Sequence, residues 1–182
     1  MTATGLLLLA LPLLTAEATP APVKTQVFLS ADKLVAGSEV PIAVKATIAD
    51  GWHVNAQPPS ADYLIPITLT VTGDQGTVLT QTLYPAGHAT DQGGLSVSTY
   101  EGEVWMFGTL KVPTDRIGQT ETLSIATSYQ ACNAKTCRPQ ATTTIKGRIA
   151  IVAPGTQVRA MNASVFQKQP QVASEGTVIP AR

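Results

Sequence analysis

Charge is scarce in this sequence and evenly split: charged residues make up 13% of the 182, with 12 basic against 12 acidic. That excludes the basic stripe by which a domain grips nucleic acid, so no nucleic-acid partner is expected. No apolar run approaches the roughly 20 residues that cross a bilayer as a helix, so no membrane span is expected either. Histidine and cysteine are rarer still. His53 and His88 are the only histidines, they lie far apart, and both precede the only cysteines, Cys132 and Cys137. No zinc-ligand spacing is matched, and no metal or other cofactor is expected. Two thiolates and one histidine leave copper as the single metal alternative. Helical periodicity is missing as well: residues 27–152 contain no convincing helical stretch of useful length, and the chain has no internal repeat.

What is present begins with "MTATGLLLLALPLLTAEATPAPV", an apolar run from Leu6 to Leu14 followed by small residues at Ala16 and Ala18. This is the layout of a secretory signal, with cleavage expected after Ala18, although no Lys or Arg precedes the apolar run. The expected destination is the periplasm or another exported, oxidising compartment, where a cysteine pair can form a disulfide. No lipidation cysteine lies near the cleavage position, so a soluble exported form is expected. The reading divides the chain into a signal peptide over 1–18, a linker over 19–26, a folded domain over 27–153 and a tail over 154–182.

Within the domain the signal is alternation. In "EVPIAVKATIADG", Val40, Ile42, Val44, Ala46 and Ile48 point one way, and Pro41, Ala43, Lys45, Thr47 and Ala49 the other. Similar segments at residues 64–72, 77–84, 103–112, 122–131 and 142–152 are rich in Val, Ile, Thr and aromatics, with turn signals such as "TGDQG", "YPAG" and "VAPG" between them. Short strands without intervening helices predict an all-β fold, an immunoglobulin-like antiparallel β-sandwich. A domain of this size buries a real core without a staple. After Pro154 the polar, Gln- and Pro-containing sequence predicts a disordered or weakly helical tail, with Val158, Met161 and Val165 on one face of a short helix.

Cys132 and Cys137 lie in "YQACNAKTC", between two predicted strands. They can be bridged only if the chain reverses, because a disulfide needs Cα atoms within roughly 7 Å. Closing so short a loop stabilises by only about 2 kcal/mol in the chain-entropy model. Two readings therefore stand side by side, an inert structural disulfide and a redox-active pair. Lys135 and Arg138 flank Cys137, and nearby cations favour the thiolate, while Pro139 limits the backbone after the pair.

The segment "SYQACNAKTCRPQ" is similar to the Tyr-Gln-x-Cys and Cys-x-Pro pattern of the periplasmic N-terminal domain of the thiol:disulfide interchange protein DsbD. "DGWHVNAQPPSADYLIPITLTV" and "YPAGHATDQGGLSVSTYEGEVWMFGTLKVP" resemble further stretches of that family in the same order, so that the resemblance covers residues 27–152. It implies an immunoglobulin-like domain that takes electrons from a membrane-embedded thiol reductase and passes them to periplasmic thioredoxin-like proteins. It further implies that Cys137 forms the mixed disulfide and Cys132 resolves it. A cap loop carrying an aromatic residue shields the disulfide in that family, which puts residues 91–100 in that role, with Gly93 and Gly94 as hinge and Tyr100 or Leu95 as cover. Trp52, Tyr129 and Arg138 are expected beside the cysteines, and His53 is read as a surface residue. Where relatives often carry an apolar residue and two prolines, this loop reads Arg-Pro-Gln, and the family's other domains are absent from the sequence, so the electron donor is expected to be a separate protein. The competing reading is a non-enzymatic binding or assembly module whose Cys132–Cys137 disulfide is structural.

Overall fold

Residues 39–48 show why the chain folds as it does. Val40, Ile42, Val44, Ala46 and Ile48 are all buried, so the period-two pattern becomes one face of a strand in the core. In the computed structural model, which describes residues 20–169, this strand is the third of twelve among the described residues. The chain enters through β1 (Val23–Leu29) and the short β2 (Leu34–Val35), then runs through β3 (Glu39–Ile48) and β4 (His53–Asn55). One hairpin is made by β5 (Thr68–Gly73) and β6 (Val78–Leu83), and a second by β7 (His88–Gln92) and β8 (Leu95–Tyr100). The long β9 (Glu103–Lys111) and β10 (Thr120–Tyr129) cross the core. The two-residue β11 (Ala131–Cys132) opens the cysteine loop, β12 (Ala141–Val152) returns from it, and α1 (Ala163–Phe166) follows.

The strands form an immunoglobulin-like sandwich. An eight-stranded sheet runs β1-β3-β9-β6-β5-β10-β12-β2, and a four-stranded sheet runs β11-β4-β8-β7. Among the described residues the pairings between named strands are antiparallel except the short β12–β2 contact. Ile42, Val44, Ile67, Met106, Leu110 and Leu123 fill the interior. Each such side chain, fully buried, contributes roughly 1.5–3 kcal/mol. Alternation understates the burial of β3 in one place. Ala43 is fully buried although it lies on the opposite face, because it sits directly between Phe28 and Phe107 in the neighbouring strands, and Trp105 stacks beside both rings.

A carboxylate fastens the β5–β6 turn. Glu121 is buried and accepts the backbone N–H of Gln75 through Oε1 (2.8 Å) and that of Thr77 through Oε2 (3.0 Å). Glycine is required at position 73, where a Cβ would stand 2.6 Å from Glu121 Oε1. Asp74, in the same turn, accepts the Thr122 N–H at 2.8 Å. That bond, with help from the neighbouring Glu121 and Gln75, lowers its pKa to about 2.

Three boundaries differ from the sequence reading. β1 begins at Val23, inside the stretch read as linker, and the Pro22 carbonyl accepts the N–H of Ala49. Residues 91–100, read as a loop, are mostly the strands of the β7–β8 hairpin. The tail is docked as far as Lys168: Ala160 bridges to Ala31, Met161 N–H donates to the Ser30 carbonyl, Asn162 Nδ2 donates to the Leu29 carbonyl, and Lys168 Nζ stands 4.9 Å from the centre of the Trp105 ring. Polar composition concealed this, because the docking uses backbone groups, the Asn162 amide and the Asp32 carboxylate, which accepts the Arg159 N–H, rather than an apolar stripe. The expected signal peptide over 1–18 and the last residues of the tail lie outside the described residues. Among the described residues no helix is long and apolar enough to cross a membrane.

Candidate active site

The cysteine loop is a tight hairpin. Asn133 N–H donates to the Thr136 carbonyl (2.9 Å) and Arg138 N–H to the Ala131 carbonyl (2.8 Å), which sets Cys132 and Cys137 opposite each other as an antiparallel pair. Asn133 closes the reversal with its side chain, since Oδ1 accepts the N–H groups of both Lys135 (2.9 Å) and Thr136 (3.0 Å). This is the local chemistry that makes Asn a turn residue. The reversal brings the two Cα atoms to 3.9 Å, and the sulfurs are joined as a disulfide. Their surroundings differ. Cys132 is 5% exposed, held on one side by β4, while Cys137 lies on the outer return of the loop and is exposed.

The disulfide forms part of the wall of a cleft of about 610 Å³. Cys132 is paired with His53 of β4, and His53 and Cys132 both line that cleft. Across from them the β7–β8 hairpin contributes Thr90, Asp91, Gln92 and Gly93. Gln92 reaches His53, side-chain nitrogen to ring nitrogen at 3.0 Å. Gly93 and Gly94 make the hairpin's turn, both with positive φ (67° and 87°) that suits glycine.

The residues expected beside the cysteines divide into two groups. Arg138 follows Cys137, stacks its guanidinium 4.7 Å from the centre of the Trp52 ring, and donates from Nη1 to the Pro20 carbonyl at 3.3 Å. Trp52 and Arg138 are thus brought together at the base of the loop. Tyr129 is near in sequence but buried in the core. Tyr100 does not line the cleft: it is buried, its hydroxyl donates to the Pro85 carbonyl at 2.6 Å, and burial raises its pKa above the ordinary phenol value. Leu95 stands exposed on the outer arm of the hairpin turn, also outside the cleft walls. The part of the hairpin that lines the cleft is therefore polar, because β7 and the turn supply it (Thr90, Asp91, Gln92 and Gly93) and β8 does not.

Gln92, Glu101 and Asn133 belong to the site and escaped sequence reading. Asn133 was the most accessible of the three, since an Asx residue opening a reversal between two strands is a known turn signal. Gln92 and Glu101 carry no local signal, because only the curl of a separate sheet places them here. Among the described residues, no group of three or more His, Cys, Asp and Glu is placed to hold a metal ion.

The sequence matches the family "Thiol:disulfide interchange protein DsbD, N-terminal" over residues 19–148. The chain belongs to this family. Its cysteine hairpin is thus the disulfide of a DsbD N-terminal domain, in a family of thiol–disulfide interchange. Solved structures that resemble it include the DsbD N-terminal domain of Neisseria meningitidis in the reduced form, at 17% identity and a TM-score of 0.43, over 73% of this chain and 90% of that one. The N-terminal periplasmic domain of ScsB from Proteus mirabilis is similar at 20% identity and a TM-score of 0.46, over 72% of this chain and 49% of that one. The complex between the DsbD N-terminal and PilB N-terminal domains from Neisseria meningitidis is similar at 19% identity and a TM-score of 0.38, covering 66% of this chain and 80% of that one. No curated protein matches the chain.

Proposed function

We propose that this domain is an exported electron carrier that works by thiol–disulfide exchange in the periplasm. It receives electrons from a separate membrane-embedded thiol reductase and hands them to thioredoxin-like proteins. In the reduced form the Cys137 thiolate attacks a partner disulfide and forms the mixed disulfide. Cys132 then attacks Cys137 Sγ, closes the ring and releases the reduced partner. The observation that carries the reading is the unequal exposure of the two sulfurs: an incoming protein meets Cys137, while Cys132 waits behind it, 5% exposed. Lys135, which lines the cleft with Cys137, supports the assignment by placing a cation near the attacking sulfur, and Arg138, next in the chain, adds a second at the base of the loop. The β7–β8 hairpin serves as a cap, its glycine turn giving way when a partner docks.

A Cys132→Ala variant tests this. It is expected to hold a thioredoxin-like partner as a stable mixed disulfide through Cys137, and a variant that captures none from a periplasmic extract overturns the relay. The structural-disulfide reading is separated by potential: a value below about −300 mV in glutathione buffers marks an inert staple.

A further inference from the structure

We propose that His53 is the proton acceptor and donor of the cysteine pair and acts on Cys132. The inference rests on the exchange reading above and assigns that reaction a residue beyond the two sulfurs. Ring closure poses a chemical problem, because a thiol must lose its proton before its sulfur can attack. Cys132 is 5% exposed, so bulk water serves it poorly. The cations of the loop, Lys135 and Arg138, are protonated already and cannot accept that proton.

His53 is placed to do so. It is the residue directly opposite Cys132 in the β4–β11 pair. Directly opposed residues of an antiparallel pair project from the same face with Cβ atoms roughly 4.5–5.5 Å apart. Cys137 is opposite Cys132 on the other side, so imidazole and both sulfurs form one row across three chain segments. The β4–β8 pairing runs Asn55 with Thr99 and Val54 with Tyr100, and continuing that register sets Glu101 beyond His53 at the end of the row. The ionisable groups lining the cleft with His53 are the carboxylates Asp91 and Glu101, the cation Lys135 and the two cysteines. Arg138 is stacked on Trp52 instead.

Gln92 suits a ring that changes protonation state. Its side chain lies 3.0 Å from His53 Nε2. An amide offers a donor to a neutral ring nitrogen, and after a half-turn an acceptor to the imidazolium N–H. The ring is thus held in both states while its other nitrogen exchanges a proton. In the step itself, the Cys132 S–H proton passes to the imidazole, and the sulfur's electron pair forms the Cys132–Cys137 bond. The Cys137–partner bond breaks, and the partner's sulfur leaves as a thiolate. The partner gains two electrons, the cysteine pair loses two, and the proton leaves the imidazolium to solvent or to the departing thiolate. In the reverse direction the imidazolium protonates Cys132 as it is displaced.

Single-turnover closure tests the assignment. The fully reduced protein is mixed with oxidised glutathione, quenched in acid at intervals, and the decay of the Cys137–glutathione mixed disulfide is followed by mass spectrometry across neutral pH. His53→Gln is expected to slow closure on the order of 100-fold and to abolish the inflection of its pH profile. His53→Ala is expected to be slowed likewise and to regain rate on addition of free imidazole. In the parent protein, the inflection should coincide with the His53 ring titration followed by NMR, a measurement that does not depend on the variants folding. Closure at the parent rate in both variants overturns the proposal, as does slowed closure without imidazole rescue and with the parent pH profile, or an inflection that departs from the ring titration. A protein that never forms the mixed disulfide sinks the exchange reading itself and this inference with it.

Discussion

Cys132 and Cys137 are antiparallel partners 3.9 Å apart at Cα, yet one is 5% exposed and the other lies open to solvent. A single hairpin thus presents two chemically identical sulfurs in two environments. The proposed order in which they react rests on that difference.

Alkylation reads the difference directly. In the reduced protein, limiting iodoacetamide is expected to label Cys137 at least about tenfold faster than Cys132, because access governs the reaction alongside thiolate character. Peptide mapping by mass spectrometry measures the ratio. Equal labelling would contradict the assignment of Cys137 as the outward sulfur.

Asn133 holds the reversal between the cysteines through two backbone N–H groups. Asn133→Ala is expected to cost about 1 kcal/mol in denaturant unfolding, the ordinary worth of such bonds where solvent can replace them. The midpoint should fall with an unchanged slope.

Arg138 ties the loop to Trp52 and to the Pro20 carbonyl. Arg138→Ala is expected to lose about 0.5–1 kcal/mol of stability. It should also slow the reaction of Cys137 with a negatively charged disulfide reagent several-fold, an effect that fades as added salt screens the charge. Arg138→Lys restores the charge without the planar stack and should recover part of the rate only.

Acid stability should turn on Asp74. Its folded pKa is depressed to about 2 from 3.8, so the Thr122 N–H bond supports the fold fully above the unfolded value and is lost as pH falls through the folded one. Stability is therefore expected to decline between about pH 4 and pH 2. Asp74→Asn should flatten the decline in that window, which thermal melts at stepped pH measure.

Ile42 is fully buried at the middle of β3. Ile42→Ala is expected to destabilise by about 2–5 kcal/mol, the range for emptying a packed core site. Urea unfolding of the oxidised protein provides the value.

The residues of β3, β9 and β10 announced themselves, because a strand with one buried face must alternate. β1 did not, since only part of its length is buried and its neighbours in sequence carry prolines. The hairpin β7–β8 was concealed for a related reason: "HATDQGGLSVSTY" is mostly polar, and although Val97 and Tyr100 of β8 are buried, its β7 arm borders a cleft rather than an apolar core. His53 was visible in the sequence but offered nothing to distinguish it from a surface histidine. Its meaning depends on which residue of another strand stands opposite.

By itself the sequence determined the alternation that buries one face of each long strand and the short separation of Cys132 and Cys137 that lets a chain reversal join them, because these depend on residues a few positions apart. Only the tertiary structure decided that Cys132 is covered and Cys137 is not, and that His53, Gln92 and Glu101 border the same cleft. Those facts depend on strand register and on the curl of a second sheet, which long-range pairing sets and no local pattern encodes.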